Sequence, residues 1–351
     1  EIPKRDWSSD VCSSDLITQN GAPSVLSVQS SELPNPKPNE VQVKVHYAGI
    51  NFADLLMRMG LYPSAPKPPF TPGYEISGMV IKAGEKEDSN LVGQPVVALT
   101  QFGGYASAIN IPADRVFPLQ SEDHLKDAAA IPVNYLTAYV MMIMQANLKK
   151  DEWLLVHGIG GGVGIAALQI AKILGANVIG TASAHKHERL KAMGAEHIID
   201  YHDTDFVTYT KKITGGRGAD VVLDPIGGSH LNRSFRAMGS FGRLVCYGFS
   251  TAAVSNKRKW FTLLKEFVSM PRFSPVKLMG TNKAVFGCHL GMLRDREADM
   301  KLATDTLLKW YYDGNIKPEV DSVFPFSKAA EAHQYIHDHK NFGKVLLTPF
   351  E

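Results

Sequence analysis

Apolar residues run in unbroken blocks through the middle of the chain and alternate with polar ones nearer its start. The block Trp153-Leu154-Leu155-Val156-His157 reads as a buried strand, and Asn177-Val178-Ile179-Gly180-Thr181-Ala182 as a second. Between them lie Gly158-Ile159-Gly160-Gly161-Gly162-Val163-Gly164 and then Ile165 to Leu174, with small and apolar residues at helical spacing. Strand, glycine-rich turn, helix and strand make half of a dinucleotide-binding fold. The blocks Ala219–Asp224 and Gly242–Gly248, with helical stretches at Phe206–Thr214 and His230–Met238, continue a βαβ rhythm that predicts a parallel, doubly wound sheet. Ahead of this region, Val41-Gln42-Val43-Lys44-Val45-His46-Tyr47 alternates as a half-buried strand should. Asn51–Leu61 reads as a short helix, and the five prolines of Pro63–Pro72 impose an extended loop. Tyr74–Ala83 and Gln94–Leu99 are further strands, so a β-dominated unit precedes the nucleotide unit. Leu125–Ala146 is mostly helical, with a bend at Pro132. Later elements are a helix over Asp299–Gly314, a strand near Val320–Phe324, a helix over Lys328–His339 capped by Ser327, and a closing strand, Val345–Leu347, in the first unit.

The glycine turn has a specific chemistry. Glycines permit positive φ and remove the Cβ atoms that would hold a pyrophosphate off the backbone. A helix starting near Gly162 aims unpaired N–H groups at the turn, which favours an anion. The end of the second strand then selects the dinucleotide. An acid there would hold the ribose 2′-OH of NAD. Here Thr181-Ala182-Ser183-Ala184-His185-Lys186-His187 has no acid before Glu188, and Ser183 and Lys186 suit a 2′-phosphate, which points to NADPH. The alternative is a solvated, basic helix start.

At 351 residues the chain is long enough for two cored domains, and a net charge of +2 argues against a general nucleic-acid surface. Cys12, Cys246 and Cys288 form no CxxC pair, hence neither a disulfide framework nor a thiolate zinc cluster. No apolar run reaches membrane-spanning length and no secretory signal is visible, which fits a reducing cytoplasm. Residues 1–16 carry a near-repeat of Ser-Ser-Asp with neither alternation nor helical stripe, and are read as a non-native segment in which Cys12 has no role. Asn256–Lys283 interleaves seven bases and one acid with Trp260, Phe261, Phe267 and Phe273. It reads as a membrane-surface or ligand-covering element, or as a loop between subunits or domains with a solvated basic face. A single-stranded nucleic-acid binder would rest on this patch alone, and no nucleic-acid partner is expected.

Ala48-Gly49-Ile50-Asn51-Phe52-Ala53-Asp54, Pro72-Gly73-Tyr74-Glu75, the glycine turn and Asn341–Val345 together resemble the medium-chain dehydrogenase/reductases, and within them the zinc-independent NADPH:quinone oxidoreductases. The resemblance runs from about Ile17 to Phe350. Ala182–Glu188 and Lys277-Leu278-Met279 place it nearest the branch of vesicle amine transport protein homologues. It implies a GroES-like catalytic domain over 17–130 with 285–351, and a Rossmann NADPH-binding domain over 131–284. Zinc-dependent members carry Cys where this chain has Asn51 and His where it has Tyr74, and a run of four cysteines near Val92–Asp114 that is missing here. No metal is therefore expected.

Without a Lewis acid, a quinone or α,β-unsaturated carbonyl is the fitting acceptor, since its conjugation takes hydride readily once held in a dry cleft. The resemblance implies that Asn51 and Asp54 line that cleft and that Phe52 and Tyr47 form a flat apolar wall. Asn51 would be an orienting amide, since an amide does not titrate. Asp54 would either act there or serve as a helix N-terminal carboxylate. It further implies Asn134 and Thr137 on a helix facing the cofactor, and Gly161, Gly162 and Val163 under the pyrophosphate. Ser183, Lys186 and Tyr201 would surround the 2′-phosphate, with Tyr247 towards the adenine and Asn341 and Lys344 reaching back. Many relatives place the phosphate lysine one position later, where His187 stands. No histidine is expected to be catalytic: His157 reads as a satisfied strand residue, and His185, His187, His333, His337 and His339 as helix-surface or cap positions. A homodimer is expected. The rival reading is a peripheral membrane protein of lipid transfer or vesicle trafficking, touching anionic membrane through 257–283.

Overall fold

The computed structural model describes residues 11–253 and 260–350. They form two compact units: residues up to 132 with 322–340 and from 345 onward, and residues 133–321 with 341–344. The strands in chain order are β1 (Val11–Ile17), β2 (Leu26–Glu32), β3 (Glu40–Ile50), β4 (Glu75–Ala83), β5 (Pro95–Leu99), β6 (Ala108–Pro112) and β7 (Val116–Pro118). They continue as β8 (Trp153–His157), β9 (Asn177–Thr181), β10 (His197–Ile199), β11 (Ala219–Asp224), β12 (Met238–Cys246), β13 (Ala284–Gly287), β14 (Val320–Pro325) and β15 (Lys344–Thr348).

The nucleotide unit holds a six-stranded sheet in the order β10-β9-β8-β11-β12-β13, with every recorded pairing parallel. The order reverses between β8 and β11, the topological switch point at which open α/β sheets bind ligands beyond their strand ends. Burial on both faces explains the unbroken apolar runs: Leu154, Leu155 and Val156 of β8 and Val221, Val222 and Leu223 of β11 are all enclosed. The β-rich unit is built on a sheet ordered β14-β15-β3-β4-β5-β7, with β6 also pairing β3. Val41, Val43 and Val45 point into its core, as the alternation requires. β15 returns antiparallel to β3, with Val345 opposite Ile50.

Three expectations need correction. Residues 285–321, including the helix Glu297–Tyr312, cluster with the nucleotide unit and not with the GroES-like one. The last helix begins after a 3₁₀ turn at Phe326–Lys328, so no Ser327 side chain caps it. Residues 11–17 are not patternless chain: β1 pairs antiparallel with β2 from Val11 opposite Glu32 to Ile17 opposite Leu26. Backbone pairing asks nothing of side-chain alternation, so its polar sequence still forms a strand. Residues 1–10 lie outside the described residues, as do 254–259 of the basic segment.

β1 carries a misfit that gives a test. Asp15 is 1% exposed and its Oδ2 has no hydrogen-bond partner. Burial pushes its carboxyl up to about 7. A raised carboxyl stays protonated in the fold while the unfolded chain ionises, so stability falls as pH rises from about 4 to 7, by up to about 4 kcal/mol. Asp15→Leu is expected to raise the melting temperature, with a gain over wild type that grows between pH 5 and pH 8. A gain independent of pH would contradict this account of Asp15.

Candidate functional site

The helix Gly162–Leu174 starts directly after the turn that follows β8. Gly158 has φ +67°, which an L side chain rarely adopts. At Gly164 a Cβ would lie 2.5 Å from both the Gly158 carbonyl oxygen and the Ile159 Cα, so only glycine lets the helix approach its own strand. At Gly162 a Cβ would lie 2.2 Å from Asn134 Nδ2, which places buried Asn134 against the start of the helix. Thr137 is buried one turn on, and Val163 is half-buried. Gly161 N-caps the helix without a side chain, so the first-turn amides depend on whatever occupies the turn. The turn meets the expected closing segment: Gly343 N donates to Gly160 O at 3.0 Å, and Asn341 Nδ2 donates to Gly343 O. Lys344 is buried, its backbone N–H donating to Glu319 O.

Beyond β9, Ser183 Oγ and Tyr201 OH are 2.7 Å apart. Lys186 ends the short turn that follows Ser183. It is buried, and its Nζ donates to Asn341 O at 2.6 Å, tying this corner to the closing segment. Burial lowers its pKa, against the pull of Asp321. Arg189, which sequence reasoning passed over, stacks 3.9 Å above the Phe342 ring and pairs with Glu319 at 2.7 Å. Tyr247 is half-buried at the end of β12, its N–H donating to Asp224 O, and burial raises its hydroxyl pKa.

In the β-rich unit, Asn51 and Asp54 form a capping box at the helix Phe52–Arg58. Asp54 Oδ2 accepts from Asn51 N at 2.7 Å and from Tyr105 OH at 3.2 Å, and Oδ1 accepts from Gly73 N. The carboxylate is fully enclosed, so of the two roles open to it the structure supports the helix-terminal one. The Asn51 amide is also turned inward: Nδ2 donates to Glu75 Oε1 at 2.9 Å and to Gly49 O. Phe52 is half-buried and packs on the core of this unit, and Tyr47 is half-buried on β3. Sequence reasoning passed over an aromatic cluster in this unit: half-buried Tyr74 sits 6.4 Å from Tyr62 and 5.9 Å from Phe102, ring centre to ring centre. His333 is not a surface residue. It is buried with Nε2 3.2 Å from Tyr105 OH, and burial drops its pKa to about 3.

Two family models match, the alcohol dehydrogenase GroES-like domain over residues 37–121 and a zinc-binding dehydrogenase domain over 193–347. A synaptic vesicle membrane protein VAT-1 homolog of Rattus norvegicus is 39% identical over 90% of this chain and 78% of its own. A quinone oxidoreductase of Sus scrofa is 30% identical over 93% and 94% of the two chains. The structure of the Escherichia coli quinone oxidoreductase complexed with NADPH superposes with a TM-score of 0.84, at 30% identity, over 96% of this chain and 100% of that one. The chain is a medium-chain dehydrogenase/reductase. Within that superfamily it belongs with the zinc-independent, quinone-oxidoreductase-like members, with the VAT-1 homologs among its relatives. One model's name mentions zinc, but Asn51 and Tyr74 stand where zinc-dependent members of the superfamily carry Cys and His.

Proposed function

We propose that this protein is an NADPH-dependent oxidoreductase that transfers hydride to quinones or α,β-unsaturated carbonyls without zinc or flavin. The observation that carries it is the slim glycine turn at the switch point, in a chain whose relatives include quinone oxidoreductases and a neighbour solved with NADPH. Bound NADPH supplies the hydride, and water or a surface acid supplies the proton that completes reduction. The chain's own part is to bind and orient. Gly161, Gly162 and Val163 offer first-turn amides to the pyrophosphate, with Asn134 and Thr137 behind them. Ser183 and Tyr201 present paired hydroxyls to the 2′-phosphate, and Lys186 adds positive charge from beneath. Tyr62, Tyr74 and Phe102 supply a cluster of mutually inclined aromatic rings against which a conjugated acceptor would pack. Asn51 and Asp54 hold that region in place as positioning residues. Ser183→Asp sets a carboxylate against the phosphate. It should lower the ratio of kcat/KM for NADPH over NADH roughly 100-fold, measured with one quinone at fixed concentration. An unchanged ratio would remove the phosphate from this corner.

A second reading has its own observation. Leu264, Phe267 and Val268 on the helix Trp260–Ser269, and Val276 and Met279 on Pro275–Thr281, are 61–74% exposed. Lys277 and Lys283 fold back over Phe235, so this surface is more apolar than the sequence suggests. It suits a peripheral membrane contact, in keeping with relatives named as synaptic vesicle membrane proteins. No single helix among the described residues is long and apolar enough to cross a membrane. Co-sedimentation with anionic vesicles that Phe267→Glu abolishes would support a membrane role, and indifference to vesicles would end it. A homodimer is proposed through the sheet edge at β13, to be tested by light scattering.

A further inference from the structure

His157, Thr181 and Asp224, which end β8, β9 and β11, form an unbroken line of hydrogen bonds beneath the switch point with Gly158 of the turn and Ser234 of the helix His230–Ala237. Gly158 N donates to Thr181 Oγ1 at 3.2 Å, and Thr181 Oγ1 lies 3.2 Å from His157 Nδ1. His157 Nε2 lies 3.1 Å from Ser234 Oγ, which donates to Asp224 Oδ2 at 2.6 Å. The other Asp224 oxygen, Oδ1, accepts from Ile226 N at 2.7 Å and Gly227 N at 3.0 Å. The line therefore begins in the glycine turn after β8 and ends in the glycine turn after β11, the two turns that flank the switch point.

The carboxylate fixes the direction of every proton. Asp224 only accepts, so the Ser234 hydrogen goes to it, and Ser234 Oγ must take its own hydrogen bond from His157 Nε2–H. His157 Nδ1 is then bare and accepts from the Thr181 hydroxyl, whose oxygen accepts from Gly158. From Gly158 to Asp224 all donors point one way, so each bond polarises the next, and Ile226 and Gly227 donate to the same carboxylate from the far side. Burial holds His157 neutral, with a pKa near 3, and His157, Ser234 and Asp224 are all enclosed. Burial pushes the Asp224 carboxyl up, but the hydrogen bonds from His230 and Ser234 outweigh it and hold it below the usual range. His230 Nδ1 joins at 2.8 Å from Asp224 Oδ2. The two histidines and the carboxylate could together ligate a metal, but the Ser234 hydroxyl already lies among their ligand atoms, 2.6, 3.1 and 3.3 Å away.

We propose that Thr181, His157, Ser234 and Asp224 are a relay of positioning residues that locks the pyrophosphate turn after β8 to the turn after β11, and so presets the site for NADPH. For its cofactor readout this rests on the NADPH reading above. None of the four needs to touch the cofactor: they act through the turns they hold.

Ser234→Ala and Thr181→Val each cut a different link, while Thr181→Ser keeps the hydroxyl. Amide exchange at Gly158 and Gly227 in cofactor-free protein reads the relay alone; NADPH titration and kcat at saturating NADPH read its consequence. Both cuts should speed exchange at both turns together. Each should raise the NADPH Kd about tenfold, as expected for leaving a buried polar group unpaired, and Thr181→Ser should stay near wild type. The kcat should move by less than about twofold, since the loss is in binding. Two results would overturn the relay: exchange that rises only at the turn nearest each cut, or an unchanged Kd beside a lowered melting temperature. A stoichiometric divalent metal in the purified protein, lost in His230→Ala, would also overturn it in favour of a metal site. If the wild type binds no NADPH, the cofactor reading fails and the exchange data decide the relay by themselves.

Discussion

Gly164→Ala is expected to weaken NADPH binding at least a hundredfold while Gly160→Ala leaves it nearly intact. At Gly164 the added methyl would meet backbone, the Gly158 carbonyl oxygen and the Ile159 Cα, each at 2.5 Å, far inside van der Waals contact. Backbone of a buried turn cannot step aside, so the helix must move off its strand and carry its first-turn amides out of register with the pyrophosphate. At Gly160 the methyl would meet no backbone but mainly the Lys186 Cδ at 2.9 Å, a side-chain methylene that can shift by the few tenths of an ångström needed while Nζ keeps its bond to Asn341 O. A change of about 3 kcal/mol in binding corresponds to the hundredfold loss. Fluorescence titration of NADPH checks it, with circular dichroism confirming that both variants fold. Equal affinities in the two would mean that the dinucleotide does not use this turn.

Asp54→Ala should lower unfolding free energy by about 3–5 kcal/mol, the cost of stranding several donors around one buried carboxylate. The donors are Asn51 N, Gly73 N and Tyr105 OH, which link the start of a helix, a glycine turn and the core next to His333. Tyr105→Phe removes one of these and should cost less, about 1–2 kcal/mol. Because they share a partner, the two effects should fall short of additivity in the double variant. Urea unfolding at neutral pH reads all three. A stable Asp54→Ala protein with a collapsed kcat would instead make the carboxylate catalytic.

The nucleotide half was legible because its chemistry is local. A slim helix directly after a buried strand needs Gly158, Gly162 and Gly164 at fixed spacing, and the chain shows them in order. The β-rich site was less legible, since its decisive contacts join residues far apart in sequence. Asn51 looks like a polar group free to orient a substrate until Glu75 is seen to hold its amide. His333 follows the polar pattern of a surface helix, yet that face packs on Tyr105. The relay behind the glycine turn was hidden for the same reason: Ser234 lies 77 residues from His157 and carries no motif. Lys186 shows a further limit: its charge and position suggested the phosphate corner, but not its bond to Asn341 O, 155 residues away. In β1, backbone pairing overrode a side-chain pattern that gave no sign of a strand.

The central claim is hydride transfer from NADPH without metal. Purified protein, dialysed against a chelator, should be given NADPH or NADH with a small panel of quinones and enones while nicotinamide oxidation is followed at 340 nm, roughly where the reduced ring absorbs. The account predicts turnover with at least one conjugated acceptor, a strong preference for NADPH, and no gain on adding zinc. Tight NADPH binding with no acceptor reduced, or activity that appears only with zinc, would contradict it.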